Sequence, residues 1–293
     1  MYGRGTVNLM ARACAVRSRR RSALPAVVAV VVLLAPTGCG GGGSEPGGAP
    51  GREPSASAAA PRARTYTVMQ TNLCLSGMAG CYRKAAYPAV VEEAVALIRD
   101  AHPDAVTVNE ACRSDVELIA RRTGYHARFS RVIYDGEPLR CVKPGGRGLF
   151  GDAVLTAAPI AGTDNRDFAA QAGPERRRWL CVTTRADVDV CTAHLNTRSA
   201  IEVAGNDAQC AELGALLARR ATVRAVTFGG DVNRLRSCAP DGVWTRTDES
   251  ARQAPGLQHV YGSAALRFPS AEVVPATHAD HDVLLVRARL TGR

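Results

Sequence analysis

The stretch that most constrains this chain is Phe228-Gly229-Gly230-Asp231-Val232-Asn233, which follows the β-branched run Val223, Val226 and Thr227. The run reads as a buried strand that breaks at two glycines. An acid and an amide, two residues apart, then stand at the exposed carboxyl end of a core strand. Chemistry in layered α/β proteins gathers at such ends, although Asp and Asn are also ordinary turn formers. On this hexapeptide the two readings stand level, and the other strand ends decide between them.

Those ends repeat the pattern. A strand from Tyr66 to Thr71 finishes at Asn72, and Ala105 to Val108 finishes at Asn109-Glu110. A hairpin of Trp179 to Arg185 and Val188 to His194 closes at His194, with Asn196 beyond it, and Asp280-His281 precede a last strand from Asp282 to Arg289. Apolar residues at helical spacing mark Pro88 to Ala101 and Glu202 to Arg220, and a short helix is expected over Ser114 to Arg122. Further strands are expected at Tyr125 to Tyr134, Ala153 to Thr156 and His259 to Gly262, with a Gly/Pro-rich excursion from Lys143 to Gly151. With no internal repeat and no second boundary, the residues themselves give one α/β domain of two layers from about Thr65 to Arg293. Carboxylates and amides at several strand ends suit a hard, oxygen-preferring cation such as Mg²⁺. Imidazoles beside them suit proton transfer or phosphate stabilisation.

The ordered motifs Gln70-Thr71-Asn72, Asn109-Glu110, Gly151-Asp152-Ala153-Val154-Leu155-Thr156, Ala193-His194-Leu195-Asn196, Gly230-Asp231-Val232-Asn233 and Ala279-Asp280-His281 resemble the endonuclease/exonuclease/phosphatase family, which includes the DNase I-like nucleases. The resemblance covers nearly all of the domain. It implies a four-layer α/β sandwich of two packed mixed sheets flanked by helices, and a metal-dependent phosphoric-ester hydrolase. Carried onto this sequence, Glu110 resembles the principal metal ligand, with Asn72 beside it and Asp280 as a second acidic ligand. Asp231 and Asn233 are similar to the pair that positions the nucleophilic water. His281 is similar to the general base or phosphate-binding imidazole, and His194 to the histidine opposite it. Asn196, Arg113 and His259 are further candidates for substrate contacts. Where relatives carry an Asp that orients the catalytic histidine, this chain has Gln258-His259, which leaves three expectations: His259 contacts a phosphate, Asp282 orients His281, or activity is impaired. Asp152 stands where relatives carry Asn or an apolar residue.

The amino terminus sets the compartment. Arg17 to Arg21 precede an apolar run from Ala23 to Ala35, and the stretch ends Leu34-Ala35-Pro36-Thr37-Gly38-Cys39. Residues 1–39 read as an export signal of the lipoprotein kind, with Cys39 as the lipidated residue and simple cleavage and release as the alternative. Residues 40–64, rich in Gly, Ser, Pro and Ala, read as a flexible tether before a catalytic domain over 65–293. The formal charge of +10 is largely a leader effect, since six arginines and no acid precede Cys39. It therefore argues only weakly for a polyanionic partner. Ten cysteines include Cys14 and Cys39, which leaves eight in an exported chain and favours disulfides over a zinc site, for which no CxxC spacing exists. Eight cysteines allow 105 pairings; Cys74 with Cys81 and Cys181 with Cys191 are reasonable local pairs, and Cys112 with Cys141 and Cys210 with Cys238 would then remain.

The expected function is hydrolysis of phosphodiester bonds in extracellular nucleic acid by an exported monomer using Mg²⁺, with Mn²⁺ or Ca²⁺ as alternatives. A phospholipid- or sphingomyelin-type phosphodiesterase or phosphatase of the same fold is the second reading. A surface binding module with an impaired site is the third. The small number of aromatic residues and the absence of an aromatic cluster argue against a membrane-inserting hairpin.

Overall fold

The computed structural model describes residues 64–83 and 85–291. The expected export signal, Cys14, Cys39 and the expected tether lie outside the described residues. The elements run in order β1 (Arg64–Asn72), a 3-10 turn (Gly80–Arg83), α1 (Ala89–Ala101), β2 (Ala105–Cys112), α2 (Arg113–Thr123), β3 (His126–Arg131), β4 (Ile133–Tyr134), β5 (Glu137–Pro138), β6 (Phe150–Thr156) and β7 (Ile160–Asp167). They continue with β8 (Glu175–Arg176), β9 (Arg178–Thr184), β10 (Val188–Ala193), α3 (Val203–Val223), β11 (Ala225–Asp231), β12 (Val243–Thr247), β13 (Gln258–Ser263), β14 (Leu266–Val274) and β15 (Val283–Leu290).

Two six-stranded mixed sheets result, ordered β14-β15-β1-β2-β6-β3 and β12-β13-β11-β10-β9-β7, with a small third sheet β5-β4-β8. Strand alternation sorts each central strand between two cores. On β1, Tyr66 and Val68 join Val154, Val190, Val260 and Leu284 in the apolar layer between the sheets. The alternate residue Met69 meets Val91, Val95 and Ile98 of α1 and Ile119 of α2 on the outer side. The second sheet turns Trp179, Phe228 and Tyr261 outward onto Leu213, Leu216 and Leu217 of α3. Helices, sheet, sheet and helix thus form the four layers that the family resemblance implied, rather than the two that periodicity alone suggested.

All eight cysteines of the domain are paired, as Cys74–Cys81, Cys112–Cys141, Cys181–Cys191 and Cys210–Cys238. The two local pairs match the expectation, and the other four cysteines close as the two pairs that it left.

Several boundaries differ from the sequence reading. The Gly229-Gly230 pair does not break its strand, because β11 runs through both glycines to Asp231. A Cβ on Gly229 would lie 2.1 Å from Thr107 Oγ1 of the facing sheet, and one on Gly230 would lie 2.3 Å from the Ala193 carbonyl. The glycines permit close approach of neighbouring backbone and side chains rather than a turn. The segment expected as one strand over 125–134 divides between β3 and β4, which belong to different sheets. Strands β7, β12 and β14 had no counterpart in the sequence reading. Each is an edge strand with a largely half-exposed or exposed pattern, so no apolar alternation marks it.

Candidate active site

Strands from both large sheets end at one cavity of about 380 Å³, whose lining includes Glu110, His194, Asp231, Asn233, His281 and Arg177. Parity accounts for the convergence. Asn72 on β1 and Asp231 on β11 continue the faces that lower down fill the layer between the sheets. Glu110 sits where the pairing of β2 with β6 shifts register between Val108 and Ala111, and its φ is 55°. A bulge with left-handed backbone re-aims a side chain that regular pleating would place elsewhere. Asn233 is likewise left-handed, with φ 52°. Two non-glycine residues in this region cost about 1–2 kcal/mol each, and such conformations concentrate at functional sites.

Asn72 joins the two sheets. Its Oδ1 accepts the Cys74 N–H at 3.1 Å, which orients Nδ2 to donate to Glu110 Oε1 at 3.0 Å and to Asp231 Oδ2 at 3.1 Å. Asp231 also accepts the Asn233 N–H at 2.9 Å, while its own N–H donates to Asn109 Oδ1 at 2.8 Å. Asn109 is held in turn by Asp152, which accepts its Nδ2 at 2.9 Å. The unexpected Asp152 is therefore a buried support for the cavity floor, with its carboxyl pushed up to about 6 by burial despite the Asn109 hydrogen bond.

The imidazoles flank the carboxylates. His194 Nδ1 lies 3.8 Å from Glu110 Oε1 and its Nε2 3.9 Å from Asp231 Oδ2, and His281 Nε2 lies 3.6 Å from Asp231 Oδ2. Asn233 Nδ2 donates to the Leu195 carbonyl at 3.0 Å and lies 2.9 Å from His194 Nε2. A neutral imidazole satisfies that contact by accepting at Nε2, which leaves its N–H at Nδ1. Burial first, then the charges of Arg177 and His281, hold His194 well below the usual histidine range. Burial pushes Glu110 up to about 8; Asn72 draws it down, while Asp231 and Asp280 add to the rise. Asp231 is also raised, chiefly by burial.

Three expected contacts fall outside this cluster. His259 is fully buried on the α3 face of β13, with Nδ1 2.7 Å from Tyr261 Oη and Nε2 3.1 Å from the Gly256 carbonyl. Strand parity turns it away from the cavity, and burial drops its proton affinity to about 4. Asn196 is buried between Gln209, whose Oε1 accepts its N–H at 2.9 Å, and the Ala172 carbonyl, which accepts its Nδ2 at 2.9 Å. It braces the loop before α3. Arg113 is exposed on the first turn of α2 and pairs with Glu117 at 3.1 Å. Nor does Asp282 orient His281, because its carboxylate accepts the N–H groups of Arg252 at 2.8 Å and Ala276 at 3.0 Å.

Gln258, the other residue of the pair, lies on the side of β13 opposite His259 and pairs in register with Asp231. Its Nε2 donates to the Asp282 carbonyl at 2.6 Å and to the buried Asp248 at 3.2 Å, and its N–H donates to Asp248 Oδ1 at 3.0 Å. The Asp248 carboxylate thus stands behind Gln258, and its proton affinity is raised by burial and lowered by Gln258 and by His281.

Arg177 is the residue that sequence reasoning missed. It belongs to Arg176-Arg177-Arg178, which reads as a solvated charge run, yet only the middle arginine is buried. Gln171 clamps its backbone on both sides, accepting its N–H at 2.8 Å and donating to its carbonyl at 2.8 Å. The guanidinium lines the cavity with Nη1 2.8 Å from Glu175 Oε1, and its Nε has no hydrogen-bond partner among the described residues. A buried cation with free donor capacity beside two carboxylates and two imidazoles is a ready contact for a phosphate oxygen.

Comparison with known proteins places this geometry. The model of the Endonuclease/Exonuclease/phosphatase family matches residues 78–281. No curated protein matches the sequence significantly. Similar solved structures include an endonuclease/exonuclease/phosphatase from Beutenbergia cavernae, at 21% identity and TM-score 0.57, covering 78% of this chain and 72% of that one. The human Nocturnin catalytic domain with bound sulfate is similar at 14% identity and TM-score 0.56, covering 76% and 94%. ANGEL2, a 2′,3′-cyclic phosphatase in complex with adenosine-2′,3′-vanadate, is similar at 12% identity and TM-score 0.57, covering 80% and 98%.

Proposed function

Because the chain belongs to the Endonuclease/Exonuclease/phosphatase family, whose members hydrolyse phosphoric esters, we propose that it is a divalent-metal-dependent phosphodiesterase and, within that class, a nuclease. The observation that carries the reading is the Asn72 amide bridging carboxylates from two sheets, with two imidazoles within 4 Å of them.

The residues present fit a hard cation. Asp280 Oδ1 is buried with no hydrogen-bond partner among the described residues, and burial first, then the neighbouring Asp231 and Asp280, hold the proton on Glu110 up to about 8. Glu110 and Asp280 would hold Mg²⁺, with Mn²⁺ or Ca²⁺ as substitutes, while Asn72, expected as a ligand, turns its Nδ2 donor to Glu110 and Asp231 and orients the carboxylates instead. The sulfurs of Cys74 and Cys81 beside Glu110 are tied in a disulfide and are not ligands. Bound there, the ion would polarise a phosphoryl oxygen and offset the charge that builds during cleavage.

The chain's own groups supply the remainder. Asp231, buried and of raised proton affinity, takes the proton of the attacking water. Asn233 holds Asp231 through its backbone and His194 through its amide. His194 presents Nδ1–H, and His281 and Arg177 present further donors, to the non-bridging and leaving oxygens. Substrate reaches the site outside the cell: residues 1–39 export the chain, Cys39 anchors it by lipid, and residues 40–64 hold a monomeric domain off the membrane.

The test is nicking of supercoiled plasmid by the oxidised protein with Mg²⁺, with EDTA, and with His281→Ala. The expected result is metal-dependent nicking that the substitution removes. An intact plasmid in all three arms removes the nuclease assignment.

A further inference from the structure

Asn233 lines a second space as well as the reaction cavity. On its far side runs an open groove of about 540 Å³, walled by Arg198, Asp207, Arg234, Leu235 and Arg236. Arg198 Nη1 and Arg234 Nη1 converge on the same Asp207 oxygen, at 2.7 and 2.9 Å. Two guanidiniums sharing one carboxylate leave a positive surplus. Arg236, exposed on the same loop, adds a third cation with no ion-pair partner among the described residues. Arg234 is mostly buried, and its Nε has no hydrogen-bond partner among the described residues. Leu235, 74% exposed between the two arginines, offers an apolar surface beside the charges.

This arrangement is built. Asn206 Nδ2 donates to the Val232 carbonyl at 2.9 Å and to the Asn196 carbonyl at 2.5 Å, joining α3 to the loops that follow β10 and β11. The Cys210–Cys238 disulfide fixes the other end of the arginine loop to α3. A surface that only needed solubility would not bring Arg198 and Arg234 from two loops onto one acid, with Arg236 beside them on a loop pinned from both sides. A chain of phosphates needs such a surface, because a cation at each successive phosphate adds to affinity without reading sequence.

From this we infer that the groove of Arg198, Arg234 and Arg236 is a backbone subsite for a nucleic-acid strand. It holds the phosphates next to the scissile one, with Leu235 against a sugar or base. The inference rests on the phosphodiesterase reading above and narrows its substrate to a polyanionic strand rather than a single headgroup.

The test uses the full chain and the double variant Arg198→Ala/Arg236→Ala, both residues lying outside the reaction cavity. Fluorescence anisotropy with EDTA follows binding of labelled single-stranded DNA and RNA of about twelve nucleotides across a salt series. Hydrolysis of bis-p-nitrophenyl phosphate with Mg²⁺ is measured beside it. The expected result is binding of both strands by the wild type, weakened about tenfold in the double variant. The salt slope should become shallower by about 1.4 for two lost phosphate contacts, with turnover of the small diester unchanged. Equal affinities and slopes, or no binding by the wild type, overturn the inference. A parallel loss of small-diester turnover also overturns it, because the arginines would then be acting on the cavity or the fold. If neither protein cleaves the small diester, the phosphodiesterase reading fails, and the anisotropy comparison still decides the groove.

Discussion

At Glu110 two costs meet, a left-handed backbone within a strand and a carboxyl pushed up to about 8 by burial and by the neighbouring acids. Its proton is held in the folded state and released in the unfolded state between pH 4.5 and about 8. The folded protein therefore binds more protons over that window, and its stability falls as pH rises. Melting of the metal-free protein should decline in Tm from the low to the high end of the window, and Glu110→Gln should flatten that decline. Mg²⁺ should raise Tm more at the alkaline end, where no proton competes. A pH-independent Tm in the wild type contradicts the assignment. Arg177 offers a second test at this scale. Arg177→Ala should lower kcat/KM by about 10²–10³, and Arg177→Lys should recover little of it, because a point charge does not reproduce the planar fork. A change in Tm with kinetics intact would make Arg177 structural only.

Among the elements, β11 shows how the sheets and the site share one design. Gly229 lets Thr107 of the facing sheet approach, so Gly229→Ala should destabilise the fold by about 1–3 kcal/mol, read from the urea midpoint. An unchanged midpoint would mean that the sheets separate freely there. The same strand shows what the sequence could and could not reveal. Asn72, Glu110, His194 and Asp231 were legible because each closes a strongly apolar run, His281 because it precedes one, and together they match an ordered motif set. The glycine pair misled, since its reason lies on another sheet. Edge strands β7, β12 and β14 were illegible because they lack apolar alternation. His259 was misplaced because its role depends on strand parity, and one residue of offset moves a side chain to the opposite face. Arg177 was hidden because nothing local distinguishes it from Arg176 and Arg178.

For the molecule as a whole, the disulfides complement the three apolar layers. Cys112–Cys141 and Cys210–Cys238 span 29 and 28 residues, and closures of that length contribute about 3–4 kcal/mol each. Reduction should lower Tm by more than about 10 °C for a domain of this size, and calorimetry with and without reductant measures it. Equal Tm values would show that the layers alone suffice. The central claim is that residues from two sheets form one metal-dependent hydrolytic site. Its most direct test is turnover of bis-p-nitrophenyl phosphate by the wild type and Asp231→Asn, each with Mg²⁺ and with EDTA. The account predicts turnover that EDTA abolishes, that restored Mg²⁺ recovers, and that Asp231→Asn lowers by at least about 10²-fold while Tm holds. Turnover indifferent to EDTA, or equal in the variant, would contradict it.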